Sequence, residues 1–300
     1  MKLTELFLSV KKTLYFYWIG ARIKTLSAGL MPLIMTQALL WERGFFDIPL
    51  FSFTALSLCC IQIATNLFND AFDGKEGLDS SNRMGPPRLV GSGQLSFSQA
   101  RRMALFSCFL ACLFAFPLLI RAGLPILLMG AISLFMAYFY TCSQYSLLKL
   151  GLSELSAVLF FGFFIVFGGY YLQALSLELS LVYLSLQCGF WALSLLLINH
   201  LRDEEEDKKK DRKTFVTLYG RTHSLFFLGG IQAFIYLLCF YWLNLGFKAG
   251  AFSFFVLPFS IALIYLVANQ PASKKYNNYL AFCSFSYILF AFSWLVGFLF

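Results

Sequence analysis

Apolar and polar positions along this chain fall into long blocks. Nine apolar runs stand out, at roughly 25–41, 47–68, 103–120, 123–142, 153–173, 177–198, 224–244, 250–268 and 279–298. Each approaches the length of about 17–25 residues that an α-helix needs to cross a bilayer. The third and fourth are divided only by Arg121, Ala122 and Gly123. Two connections are long, about 69–102 and 199–223, and the others are short. The pattern predicts an all-α integral membrane bundle of nine transmembrane helices, forming a single domain over residues 1–300.

The basic residues support this count. With nine spans, alternate connections share a side of the membrane. Of the 23 lysines and arginines, all but Arg43, Arg121 and Lys248 then lie on the side of the N-terminus. The positive-inside rule places that side in the cytoplasm. The net charge of +8 thus reflects topology and anionic lipid rather than a nucleic-acid partner. A chain that is 59% hydrophobic exceeds what a soluble core can use. Most of its 37 phenylalanines suit lipid contact, and some suit an apolar substrate tunnel. The eight cysteines form no C-x-x-C pair and read as small buried hydrophobes in a reducing or lipid setting. Residues 1–12 carry charge but no separate apolar core, so no cleavable signal peptide is expected.

The chemistry concentrates in two clusters that look like copies. One runs from Asn66 through Asn69, Asp70 and Asp73 to Asp79; the other runs from Asn199 through Arg202 and Asp203 to Asp207. In each, an Asn precedes an Asp by four residues and a second Asp follows. Helical spacing puts Asn66, Asp70 and Asp73 on one face, and Asn199, Asp203 and Asp207 on another. Facing stripes of carboxylates would repel and take up protons unless cations neutralise them. Mg²⁺ suits such oxygens and shares its remaining positions with phosphate. The clusters therefore predict a magnesium site for a diphosphate substrate, held by Asn66, Asp70, Asp73, Asn199, Asp203 and Asp207, with the four aspartates as the catalytic set. A solvated charged loop is the plainer reading of 203–207, where acids run into lysines.

Flanking residues extend the site. Gly85, Pro86 and Pro87 shape a loop whose Arg83 and Arg88 could clamp diphosphate or a carboxylate, or anchor at the membrane surface. Arg22 and Lys24 stand at a helix entrance, either as substrate ligands or as snorkelling cations. Tyr140 closes the fourth run on the side of the clusters. His200, a lone histidine beside an Asn at a helix end, reads as a polar interface residue rather than a base.

These motifs resemble the UbiA-type intramembrane prenyltransferase superfamily, over nearly the whole chain. The resemblance is to the branch acting on 1,4-dihydroxy-2-naphthoate in menaquinone synthesis. It rests on Asn69-Asp70 through Asp79, on the stretch Arg83 to Gly93, on Arg22 to Leu26, on Asn199 to Asp203 with Thr214 beyond, on Tyr140-Thr141 and on Gly168 to Gln173. The chain departs from the branch at Ile23, at Ser143-Gln144 and at Asp211-Arg212, where Pro, Gly-Pro and Gly-Lys are usual. The resemblance implies Mg²⁺-dependent transfer of a polyprenyl group from polyprenyl diphosphate to an aromatic acid, on the cytoplasmic side of a bacterial inner membrane. Dihydroxynaphthoate would lose carbon dioxide to give a demethylmenaquinone. It also implies substrate contacts from Asn69, Asp79, Arg202 and Lys213, leaving open whether Asp79 activates the ring or binds a second metal. Two alternatives stand beside it: the same reaction on another acceptor, such as 4-hydroxybenzoate, homogentisate or a futalosine-pathway naphthoate, and a transporter whose acids carry cations near the bilayer midplane.

Overall fold

Nearly every apolar run forms helix, because an apolar environment leaves the backbone no partner but itself. The computed structural model describes residues 3–75, 84–86, 88–142 and 145–299, with side chains except at 3–10, 12, 23, 24 and 299. Asp79 and Arg83 lie outside the described residues, as does the side chain of Lys24. Helix α1 (Leu3–Ala21) meets α2 (Ile23–Glu42) at Arg22, whose φ of +47° is left-handed. The two arms, Thr13–Ala21 and Thr25–Glu42, are bent by 68°. Helix α3 (Ile48–Lys75) follows, then α4 (Phe97–Ala122), which opens on a Ser96–Gln99 capping box. Next come α5 (Leu124–Phe139), the short α6 (Leu147–Leu150) and α7 (Ser153–Ala157). A π-helical stretch, Val158–Phe164, joins α7 to α8 (Ile165–Ala174). The chain ends with α9 (Ser180–Lys209), α10 (Phe215–Asn244), α11 (Ala249–Ser253), α12 (Leu257–Ala268) and α13 (Tyr276–Leu299).

The span count differs from the nine expected. Among the described residues seven segments are long and apolar enough to cross a membrane: α3, α4, α7–α8, α9, α10, α11–α12 and α13. The bent α1–α2 pair makes an eighth, and it contains the expected run 25–41. The expected run 123–142 is α5, a helix of only 16 residues that Gly123 separates sharply from α4. Hydropathy alone does not register where a helix breaks.

Two helices overshoot the bilayer. At 1.5 Å per residue, the 28 residues of α3 and 30 of α9 reach about 42 and 45 Å. The hydrocarbon core is about 30 Å thick. Both helices are thus longer than the hydrocarbon is thick, and their C-terminal turns carry the two acidic clusters.

Packing is uneven. Helices α9, α10 and α13 share the large core, where Trp191 stacks on Tyr287 at 5.3 Å and Trp242 meets Trp294 edge-on at 4.8 Å. The buried amide of Gln187 accepts from Trp242 Nε1 and donates to the carbonyl of Ile235, so both ends of that amide are satisfied. Helices α3 and α4 pack on each other and turn many side chains outward. Between these two halves lies a cavity of about 700 Å³, walled by α2, α3, α5, the π-helical stretch, α8, α9 and α13.

Close approach of α9 to the π-helical stretch shapes one wall. A Cβ added at Gly162 would stand 2.3 Å from the Ser185 carbonyl oxygen. Gly162→Val is expected to destabilise the fold by about 1–3 kcal/mol through overpacking, read as a lowered melting temperature in detergent. An unchanged melting temperature would show that the two segments are not this tightly apposed.

Candidate active site

The end of α3 supplies the first acidic cluster. Asn66 Nδ2 donates to the Ala21 carbonyl at 3.1 Å and to Thr25 Oγ1 at 3.2 Å, tying α3 to the α1–α2 bend. The Oδ1 of Asn69 is buried, faces the cavity wall and has no partner in the protein. Asp70 accepts from the backbone amides of Leu89 and Val90, at 2.9 and 3.0 Å. Those bonds turn it toward the Gly-Pro loop, and it does not line the cavity. Asp73, 2% exposed, does line it.

Cations from two loops surround Asp73. Arg88 pairs with its Oδ2, Arg212 Nη2 donates to Oδ1 at 2.6 Å, and Lys210 Nζ stands 3.8 Å from Oδ2. Arg212 also reaches Asp207, with Nη1 at 3.1 Å from Oδ1. One guanidinium therefore bridges the two acidic clusters, which are more than a hundred residues apart in sequence. The second cluster is bound internally: Arg202 forks onto Asp203 at 2.7 and 2.6 Å, and also donates to Asn199 Oδ1. Its third arm donates to Asn277 Oδ1 at 2.8 Å, and Asn277 in turn donates to the Met84 carbonyl at 2.9 Å. That chain of bonds closes α13 and the Gly-Pro loop over the end of α9.

The expected residues are thus sorted. Arg22, Asn66, Asn69, Asp73, Arg88, Tyr140, Asn199, Arg202, Asp203 and Asp207 line one cavity. Asp70 positions the loop that carries Arg88. Lys213 is exposed and outside the lining, and Arg212 stands in the wall instead. The reason is local. Asp211 adopts a φ of +51°, which turns the chain between α9 and the Thr214 cap of α10. Sequence reasoning missed Asn277 and Glu154, which lie far from either motif, and it named Lys213 where Arg212 stands in the wall.

The electrostatics favour an anion. Burial, with Arg22 and Arg212 alongside, pulls the Arg88 guanidinium down to about 9. Arg22, Arg88, Arg202 and Arg212 all line the cavity, so it presents four guanidinium groups to an anion. Among the described residues no three carboxylate, histidine or cysteine side chains are close enough to hold a metal ion alone. The donors facing the cavity are nevertheless all hard oxygens, Asp and Asn, and the Asn69 oxygen is unpartnered. Such a set suits Mg²⁺ when a diphosphate completes the coordination.

The family model described as UbiA prenyltransferase family matches residues 29–296. The chain belongs to the UbiA prenyltransferase family. It is similar to the 1,4-dihydroxy-2-naphthoate octaprenyltransferase of Escherichia coli (strain K12), with 32% identity over 222 residues, covering 70% of this chain and 72% of that one. The Bacillus subtilis (strain 168) protein of the same name is 27% identical over 220 residues, covering 73% and 71%. Solved UbiA homologues share the fold. One from Aeropyrum pernix K1 superposes with a TM-score of 0.69 at 18% identity, over 91% of this chain and 97% of that one. One from Archaeoglobus fulgidus bound to DMAPP and Mg²⁺ gives 0.66 at 14% identity, over 94% and 98%. This UbiA-family chain is an integral-membrane prenyltransferase whose acidic clusters open on one shared cavity.

The Asp211 turn gives a test. Aspartate tolerates left-handed backbone better than most residues. Asp211→Gly is expected to fold within about 1 kcal/mol of the parent, whereas Asp211→Val loses about 1–2 kcal/mol to left-handed strain. Thermal unfolding of the two variants measures the difference, and equal stability would remove the backbone argument.

Proposed function

We propose that this enzyme transfers a polyprenyl group from polyprenyl diphosphate to 1,4-dihydroxy-2-naphthoate, with loss of carbon dioxide, giving a demethylmenaquinone. The relatives named as 1,4-dihydroxy-2-naphthoate octaprenyltransferases support the acceptor and the donor class. The observation that carries the reading is the Arg212 bridge, which brings Asp73 and Asp207 to one cavity. Neither cluster alone would hold a diphosphate and its counter-ions.

In this reading Asn66, Asn69, Asp73, Asn199, Asp203 and Asp207 would hold Mg²⁺, with Asp70 fixing the adjoining loop. Bound there, Mg²⁺ would neutralise charge on the leaving diphosphate. The chain's own part is larger. Arg22, Arg88, Arg202 and Arg212 present guanidinium forks to the diphosphate and stabilise it as the carbon–oxygen bond breaks. The apolar part of the cavity, including Leu118, Ile126, Phe160 and Leu172, receives the polyprenyl tail and keeps water from the allylic cation. The aromatic ring then attacks that cation.

Topology follows from the same reading. Counting α5 as a ninth crossing leaves only Arg43, Arg121 and Lys248 opposite the remaining lysines and arginines. By the positive-inside rule the N-terminus and the active site would then face the cytoplasm of a bacterial inner membrane.

Asp73→Asn and Asp203→Asn should each lower Mg²⁺-dependent prenyl transfer by about 10²-fold or more, and chelation of divalent ions should abolish it. Radiolabelled prenyl diphosphate with a panel of aromatic acids, followed by identification of the lipid product, reads both the rate and the acceptor. Full activity in both variants would refute the assignment of the clusters.

A further inference from the structure

His200 occupies a different wall of the cavity from the arginines. It is 3% exposed, lines the cavity with Tyr140, Thr141 and Ser156, and sits 3.1 Å through Nδ1 from Glu154 Oε1. Glu154 is itself held firmly. Its Oε1 also accepts the backbone amide of Phe215 at 2.7 Å, at the N-terminus of α10, and its Oε2 accepts the Ser153 hydroxyl at 2.7 Å. Three donors converge on this carboxylate. A carboxylate has no proton to give, so Nδ1 is the donor. In the neutral ring that sets the tautomer and leaves Nε2 as a lone-pair acceptor. Nε2 has no protein partner among the described residues.

The aspartates in the wall are engaged. Asp73, Asp203 and Asp207 are each bound by guanidinium groups. A second observation marks the same region: Thr141, 7% exposed, lines the cavity with its Oγ1 buried and without a partner. The second histidine, His223, is exposed and bonded to the Tyr219 carbonyl of its own helix at 2.9 Å.

The geometry points to His200 Nε2, oriented by Glu154, as the group that recognises a ring hydroxyl of the aromatic acceptor. This rests on the aromatic-transfer reading and adds a specificity residue to it. The hydroxyl donates to Nε2, and Thr141 Oγ1 completes the polar wall. A methyl ether or a quinone carbonyl has no proton to donate and leaves Nε2 unpaired, so the site selects the reduced, hydroxylated ring over either. Glu154, 46 positions away, fixes the ring's orientation.

Two non-transferring probes test it: 1-hydroxy-2-naphthoate and 1-methoxy-2-naphthoate, measured as competitive inhibitors of prenyl transfer. In the parent enzyme the hydroxyl compound should inhibit about tenfold or more tightly than the ether. In His200→Ala that preference should fall to near unity, with the KM for polyprenyl diphosphate unchanged. Glu154→Gln provides a second variant. An amide facing Nδ1 permits the other tautomer, in which Nε2–H donates, so the preference should shrink or invert toward the ether. A parent-like preference retained in His200→Ala, or in Glu154→Gln should the first variant fail to fold, overturns the assignment while leaving the transferase reading intact. If the parent binds neither naphthoate and transfers to none, the aromatic reading itself fails and this inference falls with it.

Discussion

A single guanidinium, that of Arg212, joins the C-terminal turns of α3 and α9 by binding Asp73 on one and Asp207 on the other. The rest of the site is arranged around that bridge. Asp70, Asp73, Arg88, Arg202, Asp203, Asp207 and Lys210 are all buried. Such a group of charges survives only if each is closely paired, because an uncompensated buried charge costs several kcal/mol. The pairing is shared among two loops and helices α3, α9 and α13, so the charged end of the bundle is cooperative. It also lines the cavity with four guanidinium groups, those of Arg22, Arg88, Arg202 and Arg212, which an anionic substrate would meet.

The apolar body does different work. Helices α9, α10 and α13 bury the tryptophans and tyrosines against each other, whereas α3 and α4 spend much of their surface outward. A cavity can persist between two such halves because one wall is rigid and independently packed. Glycine contacts between α9 and the π-helical stretch set how near that wall stands, and the π-helical stretch places Phe160, Phe161 and Phe164 along it. Rigidity there matters for chemistry, since an allylic cation is protected from water only by walls that do not open.

Much of this was legible before any coordinates. The spacing of Asn66, Asp70 and Asp73, and of Asn199, Asp203 and Asp207, marks two helix faces at the edge of the membrane, and both helices do end there. Asp70 was legible as important but not in its role, because its partners are backbone amides of a loop rather than anything its spacing reveals. Arg212 and Lys213 are adjacent, and no pattern distinguishes them; the left-handed residue Asp211 does. The length of α5 was not legible, because hydropathy measures composition and not where Gly123 breaks a helix. Asn277 and Glu154 gave no signal, since each works through one contact made far along the chain.

Sequence by itself determined that the chain is a helical membrane protein with its acidic chemistry at the ends of two helices. Transfer from water and helical periodicity are local properties, so they can be read from neighbouring residues. Tertiary structure decided which carboxylate faces the cavity, which cation spans the clusters and which nitrogen of His200 is left to meet a substrate. Those outcomes depend on the direction of single bonds between segments brought together only by folding, and nothing within one segment encodes that direction.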